Sequence, residues 1–323
     1  MKYRPLGDTG IVVSEIGFGA WGIGGRTVGE TSYGDTDDSR SAAALDSALD
    51  RGITFFDTAN VYGDGHSEEL IGAAFAKKRD RVVIATKAGL SKFGEPPDFS
   101  GIALRRSLES SLRRLETDYV DLFQLHNPPA DLFRTSSKTY AALQDLQREG
   151  KTRAFGISVK APADALAILE THAVASIQVN LNMLDVRAVD SGLLEVATRR
   201  GAAVIARTPL CFGFLSGAVT ANTQFPPGDH RRGWPRAQIE RWIAGAAAVH
   251  AAAQAPAGQS RSQVALRFCL SFPAVSSVIP GILSADEAAQ NSQASDFGPL
   301  PGTARDGILA VNRQMDSFAR SER

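Results

Sequence analysis

The chain is poor in cysteine. It has two in 323 residues, Cys211 and Cys269, each inside an apolar stretch. Two thiols cannot make a disulfide framework, and both read as buried. Charge of either sign is not in surplus, since 35 basic residues meet 35 acidic ones. Without a basic stripe, neither nucleic acid nor an anionic membrane is an expected partner. No apolar run approaches the ~20 residues of a spanning helix. The N-terminal MKYRPLGDTG has no apolar signal core, so a soluble cytoplasmic protein is the expectation. Metal chemistry lacks its usual marks: there is no HExxH, no CxxC and no cluster of histidines. His66, His172, His230 and His250 fall in expected loops or helices and read as solvated. No stretch rich in Pro, Gly or Ser divides the chain. A single domain over residues 1–323 is therefore expected.

What is present is a large apolar fraction, 43%, and a repeated local pattern. The clearest example is ITFFDTANVYGDGHSEELIGAAF, residues 53–75. Ile53-Thr54-Phe55-Phe56 reads as a buried parallel strand. It ends on Asp57. A polar loop with Tyr62 follows, and Ser67-Glu68-Glu69 then opens a helix, acidic at its N-terminus. VVIATK places Lys87 at a strand tip in the same way, and YVDLFQLH places His126 at another. Active sites of βα folds are built at such tips.

Strands are expected near 13–20, 53–57, 82–87, 119–125, 153–158, 175–180, 202–207 and 275–279. Helices are expected near 67–77, 101–116, 135–149, 162–171, 189–200, 261–271 and 284–294, with one more begun by Asp37-Asp38. Eight βα units imply a parallel sheet closed into a (β/α)8 TIM barrel. Residues 1–13 read as a hairpin lid over the barrel bottom, and 306–320 as a helical tail. Residues 208–260 are a long loop-and-helix insertion after the seventh barrel strand, with the helix over 236–253. Gly17-Phe18-Gly19-Ala20-Trp21-Gly22 matches GxGxxG. The dinucleotide fingerprint needs a helix to start there, and Ile23-Gly24-Gly25 starts one poorly. A loop bringing Trp21 into a pocket fits better, with Trp21 as plain core the alternative.

Asp57, Tyr62, Lys87 and His126 together make a proton-transfer site. A free phenol is protonated at neutral pH and can donate to a carbonyl oxygen gaining charge. A nearby ammonium, Lys87, stabilises the phenolate left behind. Asp57 holds Lys87, and His126 orients the carbonyl and stabilises the developing oxyanion. Singly, each residue has a bland reading: a loop tyrosine, a lysine snorkelling at the rim, a histidine ending a strand. Their joint placement at strand tips favours chemistry.

FFDTANVYGDGHSEELIG, IATK, DLFQLHNP, GISV, IQVN and SSVIPG, in this order and spacing, resemble the aldo-keto reductases from Leu6 to about Asn291. The resemblance implies NAD(P)H-dependent reduction of an aldehyde or ketone, with Tyr62 as proton donor. It places Ser158 and Gln178 on the nicotinamide carboxamide. Val159 stands where the family usually has Asn, and Arg207 where it often has a stacking aromatic. A planar guanidinium can stack too, or reach the pyrophosphate. Leu210, Gly213 and Leu215 fall in the loop resembling the pyrophosphate cover. Gly281, Leu283, Glu287 and Asn291 fall at the adenosine end. Leu283 or Glu287 stands where the family commonly has a cation for the 2′-phosphate of NADPH. A weakened NADPH preference with usable NADH is therefore expected, unless Arg207, Arg231 or Arg232 compensates. The expected partner is a small carbonyl substrate: sugar, aliphatic aldehyde, pyridoxal-like or polyketide. Two other classes stay open, a cofactor-binding regulatory subunit and a barrel enzyme of other chemistry.

Overall fold

A computed structural model of the protein describes residues 1–27, 32–255, 257–315 and 318. Strands β1 (Tyr3–Pro5) and β2 (Val12–Ser14) pair antiparallel around the turn Gly7–Thr9. Then come β3 (Phe18–Gly19), β4 (Phe55–Asp57), β5 (Val83–Ala88), β6 (Val120–His126), β7 (Thr152–Ser158), β8 (Ser176–Asn180), β9 (Ala203–Arg207) and β10 (Val275–Ile279). These eight form one parallel sheet in sequence order. Parallel bridges Ile16–Val278 and Gly19–Gly281 bring its two edges together. The result is the expected (β/α)8 barrel.

The first barrel strand is shorter than expected. Val13 belongs to the hairpin, and only Phe18–Gly19 pairs with β4. The chain bends between them because Ser14 turns its hydroxyl onto the amides of Thr54 and Phe55, at 3.0 and 3.2 Å. Beyond the bend, the amides of Gly17 and Gly19 donate to Val278 and Pro280, each at 2.8 Å. A Cβ on Gly17 would lie 2.9 Å from the side chains of both Phe55 and Ile279, and one on Gly19 2.8 Å from the Pro280 carbonyl. The first two glycines of the GxGxxG match, Gly17 and Gly19, therefore serve barrel closure. A short 3₁₀ turn, Gly22–Gly24, follows them, and the first helix waits until Asp38.

Alternation along each strand separates two cores. Phe55, Ala85, Leu122, Ala154, Ala203, Ile205 and Ile279 point into the barrel and meet Leu6, Ile11 and Val13 of the hairpin. The hairpin thus plugs the bottom. The opposite face of each strand packs on the surrounding helices, as Phe56 does on Phe75.

The helices follow the expected pattern closely. Asp37 caps Asp38–Asp50 through a 2.7 Å bond from the Arg40 amide. The helix expected over 189–200 is split into Arg187–Asp190 and Leu193–Arg199, because Gly192 adopts a left-handed φ of 74° between them. The insertion helix runs Arg236–Ala253. The tail helix is Gly302–Gln314. Of the longer span expected for it, residues 316, 317, 319 and 320 lie outside those described. Both cysteines are buried. Among the described residues no helix is long and apolar enough to cross a membrane.

Candidate active site

Three strand tips carry the site. Asp57 ends β4, Lys87 lies one residue before the end of β5, and His126 ends β6. Tyr62 opens a 3₁₀ turn five residues past Asp57. The Lys87 ammonium donates to Asp57 Oδ1 at 2.5 Å, the Thr58 carbonyl at 2.9 Å and the Tyr62 hydroxyl oxygen at 3.2 Å. Lys87 is fully buried, Asp57 nearly so, and Tyr62 half-buried. Burial alone would depress the Lys87 pKa. The Asp57 charge and the contacts with Asp57 and Tyr62 outweigh it and raise the pKa, so the ammonium is held charged.

His126 stands across from the phenol, ring centroids 6.1 Å apart and planes perpendicular. Burial, then the charges of Lys87, Arg207 and Lys160, push its pKa well below the usual histidine value. The imidazole is therefore neutral at pH 7. Its Nδ1 is buried with no hydrogen-bond partner among the described residues.

Asp57 has further partners. Its Oδ2 accepts from Gln178 Nε2 at 2.7 Å and from Gln124 Nε2 at 3.0 Å. Ser158 donates to Gln178 Oε1 at 3.2 Å. The pairing register explains these meetings, since Lys87 lies opposite Gln124, His126 opposite Ser158, and Ser158 opposite Gln178. Gln124 carried no signal in the sequence beyond its place two residues before His126.

Asp57, Tyr62, His126 and Gln178 face one cavity of about 1020 Å³, while Lys87 and Gln124 are buried behind its wall; the volume is at the top of the usual range for ligand sites. Trp21, Asp57, Tyr62, His126, Gln178 and Arg207 line part of it. Leu210, Gly213, Gly281, Leu283, Glu287 and Asn291 line the rest. Ser158 and Leu215 do not reach its wall. Ser158 sits behind Gln178, and the Leu215 side chain is in the core while its carbonyl accepts from His250. Arg207 donates to the Val159 carbonyl at 3.0 Å, and its Nε is buried without a partner among the described residues. Glu287 turns back on its own helix start, where its Oε2 accepts the Leu283 amide at 2.6 Å.

The wall also holds residues that sequence reasoning passed over: Tyr33, Phe93, Asn127, Lys160, Phe212, Ser262 and Gln290. Each lies in a loop or on a helix whose aim only the fold sets. His230 corrects the expectation of a solvated ring. It packs within 4.9–5.5 Å of Trp21, Tyr33, Trp234 and Phe212, and Nδ1 sits 3.0 Å from the Ser32 carbonyl. The insertion folds back onto the loop after β3, which buries the ring. His66, His172 and His250 are only partly exposed, and each has a hydrogen-bond contact. Arg231 is engaged by both oxygens of Asp229, at 3.0 and 2.6 Å, while Arg232 is exposed and off the wall.

A family model described as the aldo/keto reductase family matches residues 15–308. The chain belongs to that family. It is similar to aldo-keto reductase YhdN of Bacillus subtilis (strain 168), 34% identical over 290 residues, covering 84% of this chain and 82% of that one. It is also 34% identical over 248 residues to an NADH-specific methylglyoxal reductase of Escherichia coli (strain K12), covering 72% and 73%. In structure it resembles the glycerol dehydrogenase AKR11B4 from Gluconobacter oxydans, with TM-score 0.80, 29% identity and coverage of 98% and 96%. This aldo-keto reductase is an NAD(P)H-dependent oxidoreductase of aldehydes and ketones.

Proposed function

We propose that Tyr62 is the proton donor of carbonyl reduction, with Lys87, Asp57 and His126 in support. The observation that carries this is the Lys87 ammonium within 3.2 Å of the phenol oxygen and 2.5 Å of Asp57, beneath a cavity that the phenol lines. The cavity fits a nicotinamide cofactor. Its volume suffices, and the Arg207 guanidinium, with Nη2 on one carbonyl and Nε without a partner among the described residues, suits an anionic or planar group. When bound, the reduced cofactor supplies the hydride to the carbonyl carbon. Tyr62 gives its proton to the carbonyl oxygen as negative charge develops there. Lys87 stabilises the phenolate that remains, and Asp57 holds Lys87 in line. Neutral His126 offers a hydrogen bond to the same oxygen without taking its proton.

Gln178, backed by Ser158, would hold the nicotinamide carboxamide. Arg207 would hold the nicotinamide ring or the pyrophosphate, together with the loop from Leu210 through Gly213 to Leu215. Gly281, Leu283 and Asn291 would hold the adenosine. Glu287, on the same part of the wall, would favour a free ribose 2′-hydroxyl over a 2′-phosphate. Arg231 lines the same cavity, but both Asp229 oxygens engage its charge. Dual use of NADPH and NADH follows, and the NADH-specific relative supports the NADH part of it. Substrates are small carbonyl compounds.

The test is Tyr62→Phe. Turnover of a generic aldehyde should fall ~10²–10⁴-fold, the usual worth of general acid catalysis. Quenching of tryptophan fluorescence by NADPH or NADH should report nearly unchanged affinity. Near-wild-type turnover would mean that Tyr62 is not the acid.

A further inference from the structure

A carboxamide has a donor end and an acceptor end, and its environment decides which points where. Gln178 is buried with its nitrogen in a corner that only accepts. The Asp57 carboxylate takes its Nε2 at 2.7 Å, and Gln124 Oε1 lies 3.3 Å away on the same side. Gln124 is committed to that geometry by its own Nε2, which donates to the same Asp57 oxygen at 3.0 Å. Reversing the Gln178 amide would set its oxygen against a carboxylate and a carbonyl oxygen. Its Oε1 therefore points to the Ser158 hydroxyl, with a lone pair left over.

We propose that Asp57, assisted by Gln124, is a positioning residue for the cofactor as well as the partner of Lys87. By holding the Gln178 nitrogen inward, it presents Gln178 Oε1 as the acceptor for the amide NH₂ of the nicotinamide. Ser158, whose one proton goes to Gln178 Oε1, holds that oxygen from behind. One carboxylate then sets both the proton donor and the recognition of the hydride carrier. This rests on the reading that puts the nicotinamide carboxamide against Gln178.

The experiment compares binding, not turnover. The probes are reduced nicotinamide adenine dinucleotide and its 3-acetylpyridine analogue, in which a methyl group replaces the NH₂. Dissociation constants come from fluorescence titration of the full chain. Wild type should prefer the carboxamide about tenfold, the worth of one net hydrogen bond to a buried acceptor. In Asp57→Asn, whose amide accepts either orientation of Gln178, the preference should fall to about one to threefold. Gln124→Met, close in volume, should reduce it by about twofold, and stands as the test if Asp57→Asn does not fold. Gln178→Met is the control and should abolish the preference. If Gln178→Met loses the preference while Asp57→Asn and Gln124→Met keep it, this inference fails and the cofactor reading stands. If wild type shows no preference, or Gln178→Met keeps it, the cofactor reading fails and takes the inference with it.

Discussion

The interior of the barrel has two halves built on the same strands with opposite chemistry. The lower half is apolar: Phe55, Leu122, Ala154, Ala203 and Ile205 close on Leu6, Ile11 and Val13 of the hairpin. Two residues further along, the same inward face becomes polar. Phe55 gives way to Asp57, Ala85 to Lys87, Leu122 to Gln124, and Ala154, after Gly156, to Ser158. Both halves are buried, and the upper one borders the cavity. The lower gains stability by removing apolar surface from water. The upper half must pair its buried polar atoms, because each one left alone costs free energy. A network converging on the Asp57 carboxylate pairs Lys87, Gln124 and Gln178, while His126 Nδ1 and Arg207 Nε are left without a partner among the described residues. What this teaches is that the site is a continuation of the core in which hydrogen bonds have replaced apolar contact.

Breaking the polar half should have the largest effect. Lys87→Met removes the ammonium beside Tyr62 and leaves Asp57 facing an apolar chain. Turnover should be lost, and stability should fall by roughly 3–5 kcal/mol, nearer the lower figure because Gln124 and Gln178 still donate to Asp57. Urea denaturation followed by circular dichroism measures the second effect. An unchanged midpoint would show that the pair does not hold the upper half together.

Breaking the apolar half should separate stability from chemistry. Leu122 is completely buried and lies two residues below Gln124. Leu122→Ala should cost about 2–5 kcal/mol. Its kcat/KM should stay within severalfold of wild type at a temperature where the variant is folded. A collapse in kcat/KM beyond the loss of folded protein would mean that the halves are not separable.

The third prediction concerns pH. Burial, first among the causes, lowers the pKa of His126, His230 and His250 in the folded protein. Above the unfolded value of ~6.5 these rings are neutral in both states and stability is flat with respect to them. Below it the unfolded chain takes up protons that the folded chain refuses. Stability should therefore fall as pH drops below ~6.5, by at most about 1.4 kcal/mol per pH unit for each ring, until the folded values are reached. Midpoints of unfolding between pH 7.5 and 5.5 test this. His126→Gln should flatten the slope, and a slope identical to wild type would place the linkage in other groups.

The smallest effect lies outside the barrel interior, at the adenosine end. Glu287→Arg replaces an acid by a cation and should shift the ratio of kcat/KM for NADPH over NADH upward by about tenfold, since one charge contact near a surface is worth on the order of a kcal/mol. Leu283 also loses the acceptor of its amide, so a modest fall in Tm should accompany the shift. A wild-type enzyme with strong NADPH preference, unmoved by the substitution, would put the phosphate elsewhere.

Much of the barrel was legible along the chain, because it is written in short periods. Strand-helix alternation, the inward and outward faces, and a charged residue at a strand tip are all local. Hence Asp57, Lys87 and His126 could be picked out, and the boundaries of β10 and of the helices Pro162–Thr171 and Arg236–Ala253 match the expected ones. A single glycine in a helical pattern is usually tolerated, so the sequence predicts one helix over 189–200. Gly192 breaks it only because its φ is left-handed.

The amino-acid sequence by itself determined the fold class, the polarity switch along each strand and the tips that hold Asp57, Lys87 and His126. Tertiary structure decided which of those tips touch. Gln124 and Gln178 meet Asp57 across 67 and 121 residues of chain, and no local period carries that information. It decided that Ser158 stands behind Gln178, that Arg207 reaches Val159, and that His230 is packed among aromatic rings. The reason is physical. A strand's own residues set which face is polar, but the register around a closed barrel, and the fold of the insertion over its mouth, set which polar atoms come within hydrogen-bonding distance.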